Sequence, residues 1–381
     1  MISLAKIIFL LTFSTLLKAQ SRRRNVPPVT KLAPVPLNNC PNGVLVRKEY
    51  RDMSPAEWTA FKDALLSLQL APSPDGGRYS EWDWLTRMHL DHVPEAHDHP
   101  AFFPWHRAFV SLLEKRLQQI NPTITIPYWD WSYDWAAPLK SPIFSPEYGL
   151  NVRVGPNGDC RYQRFFPRRH CLIRNYNPSN FTAFYPTETI DALIRTARNY
   201  DQVRQRIEWV PHGIVHAAVG GDVGDMTTMQ SVNDPIFWLH HSNVDRLWWQ
   251  WQKSGLRSSR RSSILNPMFD YRGTTTSGSV QISDMLNPFN LSVNDTFLTE
   301  SLCYTYVPFS RASSGRSRPE RGFFLPDPIP ESWIRMHGMN LTNIRSSEMM
   351  LISLMTTQLQ QDDPDMVLID ENDQVVVQSS Q

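Results

Sequence analysis

The fold of this chain is decided by two linked segments, Pro211-His212-Gly213-Ile214-Val215-His216 and Asn233-Asp234-Pro235-Ile236-Phe237-Trp238-Leu239-His240-His241-Ser242-Asn243-Val244-Asp245-Arg246. Read as a helix, the first segment places His212 and His216 one turn apart on one face, where both imidazoles reach one metal ion. The second segment also predicts a helix, because Asp234 suits the N-cap and Pro235 the first helical position. On that helix His241 and Asp245 share a stripe. We therefore predict that two helices offer three imidazoles to one ion.

A second histidine-rich window runs from His89 to His106. Together with the window from His212 to His241 it holds nine of the eleven histidines of the chain. A buried histidine is, taken alone, more often a core residue than a ligand, but scattered core histidines would not cluster in this way. We expect a helix from Ser80 to carry His89, and another from about Pro104 to carry His106 on its apolar stripe. Two windows with three ligands each predict two metal ions that face each other.

The length of the chain leaves room for one large domain with extensions or for two modest domains, and its charge bears on the partners it could bind. The chain has 381 residues and a formal net charge of +1, so nothing in its composition points to nucleic acid. Lys6, the apolar run Ile7–Leu17 and the small residue Ala19 are typical of a secretory signal, which we assign to residues 1–19. We expect the mature chain to be secreted and to have no membrane anchor.

Four cysteines and four asparagines fit an oxidising, exported setting. Two disulfides are the expected state of the cysteines, with three possible pairings, and free buried cysteines are the alternative. We favour a local Cys160–Cys171 loop and a Cys40–Cys303 bridge between the two ends of the domain. Each of four asparagines begins an Asn-X-Ser/Thr glycosylation motif: Asn180, Asn290, Asn294 and Asn340.

The rest of the chain predicts further helices around this core. Ser54 and Glu57 match a capping box, which predicts a helix start. The residue pattern also predicts helix from Thr187 to Glu208 and a short strand at Cys303–Tyr306. Tyr304 and Tyr306 are expected either to pack against Arg47 at the base of the domain or to be strand residues without such a contact. Residues 310–321 predict a basic linker, and within the tail Val367–Ile369 and Val375–Val377 are expected to pair as a hairpin.

The ligand types indicate which metal is bound. Six imidazoles without a thiolate argue against structural zinc, and position 213 is Gly, so the glutamate of the zinc peptidase helix is missing. Imidazole ligands suit copper, and imidazole tolerates both copper oxidation states. A pair of copper ions with three imidazoles each predicts a two-electron reaction with dioxygen.

Two motifs resemble a known family. Residues 97–107, His97-Asp98-His99-Pro100-Ala101-Phe102-Phe103-Pro104-Trp105-His106-Arg107, and residues 233–246 are similar to the two signatures of tyrosinases. These enzymes belong to the type 3 (binuclear) copper family, with catechol oxidases and hemocyanins. Val46–Tyr50, Pro127–Trp131 and Tyr304–Tyr306 resemble further landmarks of that family. The resemblance covers roughly Cys40 to Val307, so we assign the copper domain to residues 40–307 and a linker and tail to residues 308–381.

The resemblance implies a mainly α fold, in which a four-helix-bundle core holds a binuclear copper site among long irregular loops, with a short C-terminal extension. It implies no catalytic residue beyond the ligands of the two ions. The first copper takes His89, His97 and His106, with His92 as the alternative to His89, and the second copper takes His212, His216 and His241. His240 is then expected to pack or hydrogen-bond beside the second site. Three histidines match no ligand position: His99, His170 and His337.

The implied chemistry is oxidation of o-diphenols to o-quinones by dioxygen, with hydroxylation of monophenols as a further activity. The substrates would be small phenols or protein-bound tyrosine and DOPA. Three residues depart from the family: Glu95 replaces a cysteine that some members crosslink to histidine, Gly213 replaces a water-orienting asparagine, and Glu208 lies closer to His212 than expected. With Asp245 and His240, Glu208 and Gly213 are our candidates for residues surrounding the ligands. A non-catalytic oxygen carrier similar to hemocyanin and a structural matrix protein are the alternatives, and the tail is expected to cover the site.

Overall fold

The computed structural model describes residues 36–148, 150, 152–164, 166–254, 267–310, 323–362, 368–369 and 375–377. The predicted signal segment lies outside these residues, as does nearly all of the predicted basic linker. In the part of the chain that is described, no helix has the length and apolar character needed to cross a membrane.

Helices dominate the structure, in agreement with the predicted mainly α fold. Ser54 and Ser80 each close a capping box at the start of a helix, as their sequence context predicts. The helices are α1 Pro55–Ser67, α2 Glu81–Asp91, α3 Val93–Ala96, α4 Phe102–Gln118, α5 Thr187–Thr196, α6 Tyr200–Ile207, α7 Gly213–Gly220, α8 Ile236–Ser254, α9 Glu331–Met336 and α10 Leu341–Asp362.

The core lies between the helices that carry the clustered histidines. Helix α4 packs against α8, and the rings of Phe103 and Trp248 stack between them with centroids 5.5 Å apart. On the other side of α4, the Trp105 ring lies 5.8 Å from the His89 ring of α2. Helix α7 closes the group through the rings of His216 and Phe237, 6.1 Å apart. This packing points the histidine-bearing faces of α2, α4, α7 and α8 at one buried volume.

Two helix boundaries differ from the sequence prediction. Helix α4 begins at Phe102, not at about Pro104. The predicted helix from Thr187 to Glu208 is broken between α5 and α6, where the side chain of Asn199 caps the new start. A π-helical turn, Glu208–His212, then follows α6 and contains Pro211. Because proline has no N–H to donate and its ring displaces the preceding turn, this segment cannot continue as a regular α-helix.

The strands are short and lie at the edges of the helical core. Strand β1 pairs in parallel with β8, from Leu45 opposite Tyr304 to Arg47 opposite Tyr306. The predicted strand at Cys303–Tyr306 is therefore confirmed. The strands are β1 Leu45–Arg47, β2 Asp159–Arg164, β3 His170–Leu172, β4 Thr274–Thr275, β5 Gly278–Ser279, β6 Met285–Leu286, β7 Leu291–Ser292, β8 Tyr304–Tyr306, β9 Phe323–Phe324, β10 Leu368–Ile369 and β11 Val375–Val377.

Both favoured disulfides are present. Cys40 bonds to Cys303 with Cα atoms 5.2 Å apart, across 263 residues of sequence. Cys160 bonds to Cys171 within the antiparallel pair β2–β3. The first bridge ties the residues before β1 to the start of β8, so it joins the two ends of the domain as predicted.

The C-terminal part contains helices that the sequence analysis missed. Helix α10 packs against α5 and against the π-helical turn, and its core-facing side chains include Leu351 and Met355, both fully buried. The predicted hairpin is confirmed in the residues described, since β10 pairs antiparallel with β11, while its other edge pairs in parallel with β9. The segment from Leu325 to Leu359 contributes to the same hydrophobic core as the helices around the site.

Candidate metal centre

The first cluster combines one histidine from a helix end, one from a loop and one from a helix start. His89 lies in the last turn of α2, His97 follows α3, and His106 lies in the second turn of α4. One ring nitrogen of each lies within 4.8 Å of the others. The Nε2 atoms of His89 and His97 are 2.9 Å apart. The structure thus brings together the three histidines predicted for the first copper.

The second cluster holds the other predicted triad and one further histidine. His212 ends the π-helical turn, His216 lies on α7, and His241 lies on α8. The Nε2 atoms of His216 and His241 are 3.2 Å apart. His240 also lies in this group, so four imidazoles meet where three were predicted.

The two clusters face each other across a short gap. The rings of His106 and His241 stack with centroids 4.3 Å apart and planes 12° from parallel. The rings of His97 and His212 lie 6.3 Å apart. Two ions held by these clusters would therefore be close neighbours, as the sequence analysis predicted.

Backbone carbonyls fix four of the imidazoles through Nδ1. His106 and His212 each bond to the carbonyl four residues earlier, at 2.8 Å to Phe102 O and 2.9 Å to Glu208 O. His89 and His216 bond to carbonyls of a later segment, Met229 O at 2.8 Å and Met226 O at 2.9 Å. A carbonyl accepts only a protonated Nδ1, so each of these bonds leaves the Nε2 lone pair free to bind a metal.

The unpaired ring nitrogens fit a pair of cations. The buried Nε2 atoms of His106 and His212 have no hydrogen-bond partner among the described residues. A buried nitrogen without a partner costs about 1–3 kcal/mol, whereas a bound ion would satisfy it. The close Nε2 pair of His89 and His97 is likewise an arrangement that a cation between the two nitrogens stabilises. Because all donors are imidazoles, the set suits copper better than calcium or magnesium, which prefer oxygen.

Burial keeps these imidazoles neutral, which is the form that binds metal. Removal from water lowers the pKa of His89 to about 4 and that of His212 to about 3. It also lowers the pKa of His97, His106 and His241 well below the ordinary value, and neighbouring histidines lower these pKa values further. A cluster of neutral imidazoles is ready to bind a cation without first losing protons.

His240 packs against the three predicted ligands of the second cluster. Its ring stacks on His212, with centroids 5.2 Å apart, and it contacts the rings of His216 and His241. It packs as predicted, but neither of its ring nitrogens has a hydrogen-bond partner among the described residues. His241, in contrast, faces the first cluster through its stack on His106, which suits it better as a ligand near a second ion.

The remaining histidines lie outside both clusters. His92, the alternative to His89, bonds through Nδ1 to Met88 O at 2.8 Å. His99 accepts the Ala101 N–H, and His170 bonds through Nε2 to Asp225 at 2.8 Å. His337 stacks on Trp333 with ring centroids 3.9 Å apart. The structure thus favours His89 over His92 as a member of the first cluster.

Glu208 is a buried carboxylate beside the first cluster. One of its oxygens accepts the Asp98 N–H at 2.5 Å and lies 4.0 Å from His97 Nδ1. The other oxygen accepts from Arg204 at 2.9 Å. Burial raises the pKa of Glu208 to about 7, although Arg204 opposes the shift. The predicted neighbour of the site is therefore in contact with the loop that carries His97.

Gly213 lies under the C-terminal segment. A Cβ at this position would come within 3.0 Å of the Trp333 ring and 3.3 Å of Ile329. Trp333 is 2% exposed and Ile329 is 1% exposed. The residue that departs from the family's asparagine is thus covered by Trp333 of α9 and by Ile329, which precedes that helix.

Asp245 lies away from the ligands, at the base of the core. It accepts from Arg107 at 2.5 Å, from Tyr306 at 2.6 Å and from Tyr304 at 2.5 Å. The Arg47 guanidinium lies 3.4 Å over the Tyr304 ring. The two tyrosines therefore close against Arg47, and Asp245 joins α8 to the β1–β8 pair and does not orient a ligand directly.

Sequence reasoning missed the backbone acceptors and Arg204. A carbonyl that orients a histidine can belong to any residue type, so Met226 and Met229 leave no pattern in the sequence. Arg204 carried a weak signal, because it lies one helical turn before Glu208 and can pair with it.

Comparisons with known proteins agree with this geometry. The family model described as the common central domain of tyrosinase matches residues 79–254. Tyrosinase ustQ of Aspergillus flavus is 28% identical over 292 residues, which cover 68% of this chain and 79% of that protein. A mutant polyphenol oxidase from Thermothelomyces thermophila has the same fold, with a TM-score of 0.59 and 23% identity over 80% of this chain and 95% of that one. A functional unit of octopus hemocyanin also shares the fold, with a TM-score of 0.51 and 21% identity over 69% of this chain and 68% of that one.

Proposed function

The chain belongs to the type 3 copper protein family, and on this premise we propose that it uses dioxygen to oxidise o-diphenols to o-quinones. The observation that carries the proposal is the pair of facing imidazole clusters, joined at the stacked rings of His106 and His241. When bound, two copper ions would supply the two-electron exchange between the phenol and dioxygen.

The residues of the chain have distinct tasks in this proposal. His89, His97 and His106 would hold one ion, and His212, His216 and His241 the other. Four backbone carbonyls fix the orientation of four of the six rings, so these rings would reorganise little when the ions bind. The aromatic wall around the clusters excludes water, as in the contacts of Phe102 with His106 and His212 at 4.9 and 5.0 Å.

The substrate test separates the activities of this family. We expect the purified, copper-loaded chain to oxidise L-DOPA with oxygen uptake, and to act on tyrosine slowly or not at all, because Gly213 offers no side chain to orient a water. Equal turnover of both substrates would contradict the second expectation. Reversible oxygen binding without turnover of either phenol would replace the proposal with an oxygen carrier. Copper binding with neither activity would favour a structural protein.

Export and glycosylation belong to the same proposal. We infer a secreted protein from the predicted signal, and two disulfides support an oxidising environment. Four exposed asparagines, Asn180, Asn290, Asn294 and Asn340, are available as glycan acceptors. Mass spectrometry of the protein secreted by a eukaryotic host, before and after glycosidase treatment, tests all four sites.

The C-terminal segment is proposed to restrict access to the copper site. Trp333 and Ile329 cover Gly213, next to the predicted ligand His212, and α10 packs on the turn that carries His212. We expect trypsin cleavage at Arg316 or Arg321, followed by removal of the fragment in mild denaturant, to raise L-DOPA turnover about tenfold or more, equivalent to about 1.4 kcal/mol of barrier.

The matched control carries Gln at Arg311, Arg316, Arg318 and Arg321, so that trypsin cannot cut there. Its turnover should stay unchanged through the same treatment. If the cleaved wild-type chain loses the fragment and its turnover also stays unchanged, the segment does not restrict access.

A further inference from the structure

One short segment supports a histidine of each cluster. Met226 O accepts from His216 Nδ1 at 2.9 Å, and three residues later Met229 O accepts from His89 Nδ1 at 2.8 Å. His216 belongs to the second cluster and His89 to the first. The orientation of one imidazole in each cluster therefore depends on the same stretch of backbone.

Asp225 fixes the start of this segment. It is 4% exposed, and its Oδ1 accepts from His170 Nε2 at 2.8 Å and from Asn233 Nδ2 at 2.9 Å. Its Oδ2 accepts the Ile173 N–H at 2.8 Å, and its own N–H donates to Ile173 O at 2.9 Å. Both carboxylate oxygens thus accept hydrogen bonds, and a buried carboxylate with these partners holds its backbone in one position.

The bond to Asn233 closes the segment into a loop. Asn233 is fully buried and its Oδ1 accepts from the Thr86 hydroxyl at 2.9 Å, one helical turn before His89 on α2. The two ends of the loop, Asp225 and Asn233, are therefore tied to each other and to the helix that carries a histidine of the first cluster.

His170 attaches the loop to the disulfide-bonded strand pair β2–β3. It precedes Cys171, whose bridge to Cys160 holds the strands together. The hydrogen bond to Asp225 raises the pKa of His170. His170 matches no ligand position, but it bonds to Asp225, and the segment that Asp225 begins bonds to one histidine of each cluster.

We propose that Asp225 is a positioning residue shared by the two copper sites. By holding the Met226–Met229 backbone, it sets the orientation of His216 and His89 together, and His170 keeps Asp225 in place. This inference rests on the proposed function only in requiring that the clusters bind copper. It does not depend on which phenol is oxidised.

The test is copper binding by the full-length Asp225→Asn variant. Asparagine has the same size as aspartate, but an NH₂ group replaces one of the two carboxylate oxygens. That group cannot accept the hydrogen bond that the oxygen accepted. We expect both copper ions to bind about 10–100-fold more weakly in competition with a chelator, as for other partners of metal ligands. We also expect a larger EPR signal from the copper(II)-loaded variant, because two copper(II) ions lose their signal only when they lie close enough to couple.

Asp270→Asn is the matched control. Asp270 is equally buried and accepts one side-chain bond, from Arg272 at 2.7 Å, and one backbone bond, from Tyr200 N–H at 3.1 Å. No predicted ligand bonds to the described residues from 267 to 273. We expect Asp270→Asn to lower the melting temperature of the copper-free protein without changing copper affinity or the EPR signal.

Two outcomes would overturn the proposal. One is an Asp225→Asn variant that binds both ions as tightly as the wild type, whatever its melting temperature. The other is weaker binding of one ion only, which would show that the loop does not join the sites. His170→Gln, which retains an N–H donor, should preserve copper binding, and His170→Phe should weaken it. A chain that binds two copper ions normally but oxidises no phenol contradicts the proposed function and leaves this inference standing.

Discussion

His89→Ala is expected to lower bound copper from two ions to about one and to reduce L-DOPA turnover by at least about 100-fold. His89 supplies an Nε2 atom 2.9 Å from that of His97, and its own Nδ1 is held by Met229 O. Loss of a partner around a metal ligand already costs 10–100-fold, so loss of the ligand itself should cost more. Metal analysis after dialysis and oxygen uptake with L-DOPA measure the two effects.

His92→Ala is the matched control, because the two histidines lie one turn apart at the end of α2. His92 also bonds through Nδ1 to a backbone carbonyl, Met88 O, but its ring lies outside the cluster. This variant should keep both copper ions and most of the turnover. Copper loss in His92→Ala together with full copper in His89→Ala would reverse the assignment of the first site.

Asp245→Ala is expected to lower the free energy of unfolding of the copper-free protein by about 3–5 kcal/mol. Asp245 is 2% exposed and accepts from Arg107, Tyr304 and Tyr306, with Arg47 at 3.4 Å. Removing it leaves buried guanidinium groups without part of their compensating charge, which is far more costly than losing the attraction itself. Urea denaturation followed by circular dichroism measures the change.

An exposed ion pair provides the comparison. Glu331 pairs with Arg335 one turn later, with side chains 49% and 76% exposed. Because water screens this pair, Glu331→Ala should change the free energy of unfolding by no more than about 1 kcal/mol. A change below 1 kcal/mol in Asp245→Ala as well would mean that the base of the core does not depend on this carboxylate.

Much of the fold was predictable because local signals agreed with one another. The capping boxes at Ser54 and Ser80 fixed the starts of α1 and α2, and the apolar period of α4 placed His106 on its inner face. The π-helical turn was not predictable in this way. Pro211 excludes a regular helix, but the sequence does not say whether the chain then breaks or widens its turn.

The C-terminal helices were missed for a different reason. Segment α10 carries apolar residues at many positions, so its pattern does not show a clear buried face. Leu351 and Met355 are buried only because α5 and the π-helical turn lie against them. Burial here depends on contacts between segments that are far apart in sequence, and such contacts cannot be predicted from the local pattern of residues.

The sequence by itself determined which residues are suited to bind copper, since residue type and spacing set the chemistry of a ligand. Its resemblance to a known family implied two groups of three imidazoles, and its cysteine positions favoured the two disulfide pairs that the structure contains; the structure also brings each group of imidazoles together. Only the tertiary structure decided which nitrogen each histidine offers, because that depends on carbonyls such as Met226 O and Met229 O. It also decided that Trp333 lies over Gly213. A backbone acceptor can belong to any residue type, and contacts between distant segments form only when the chain folds. Neither therefore leaves a pattern in the sequence.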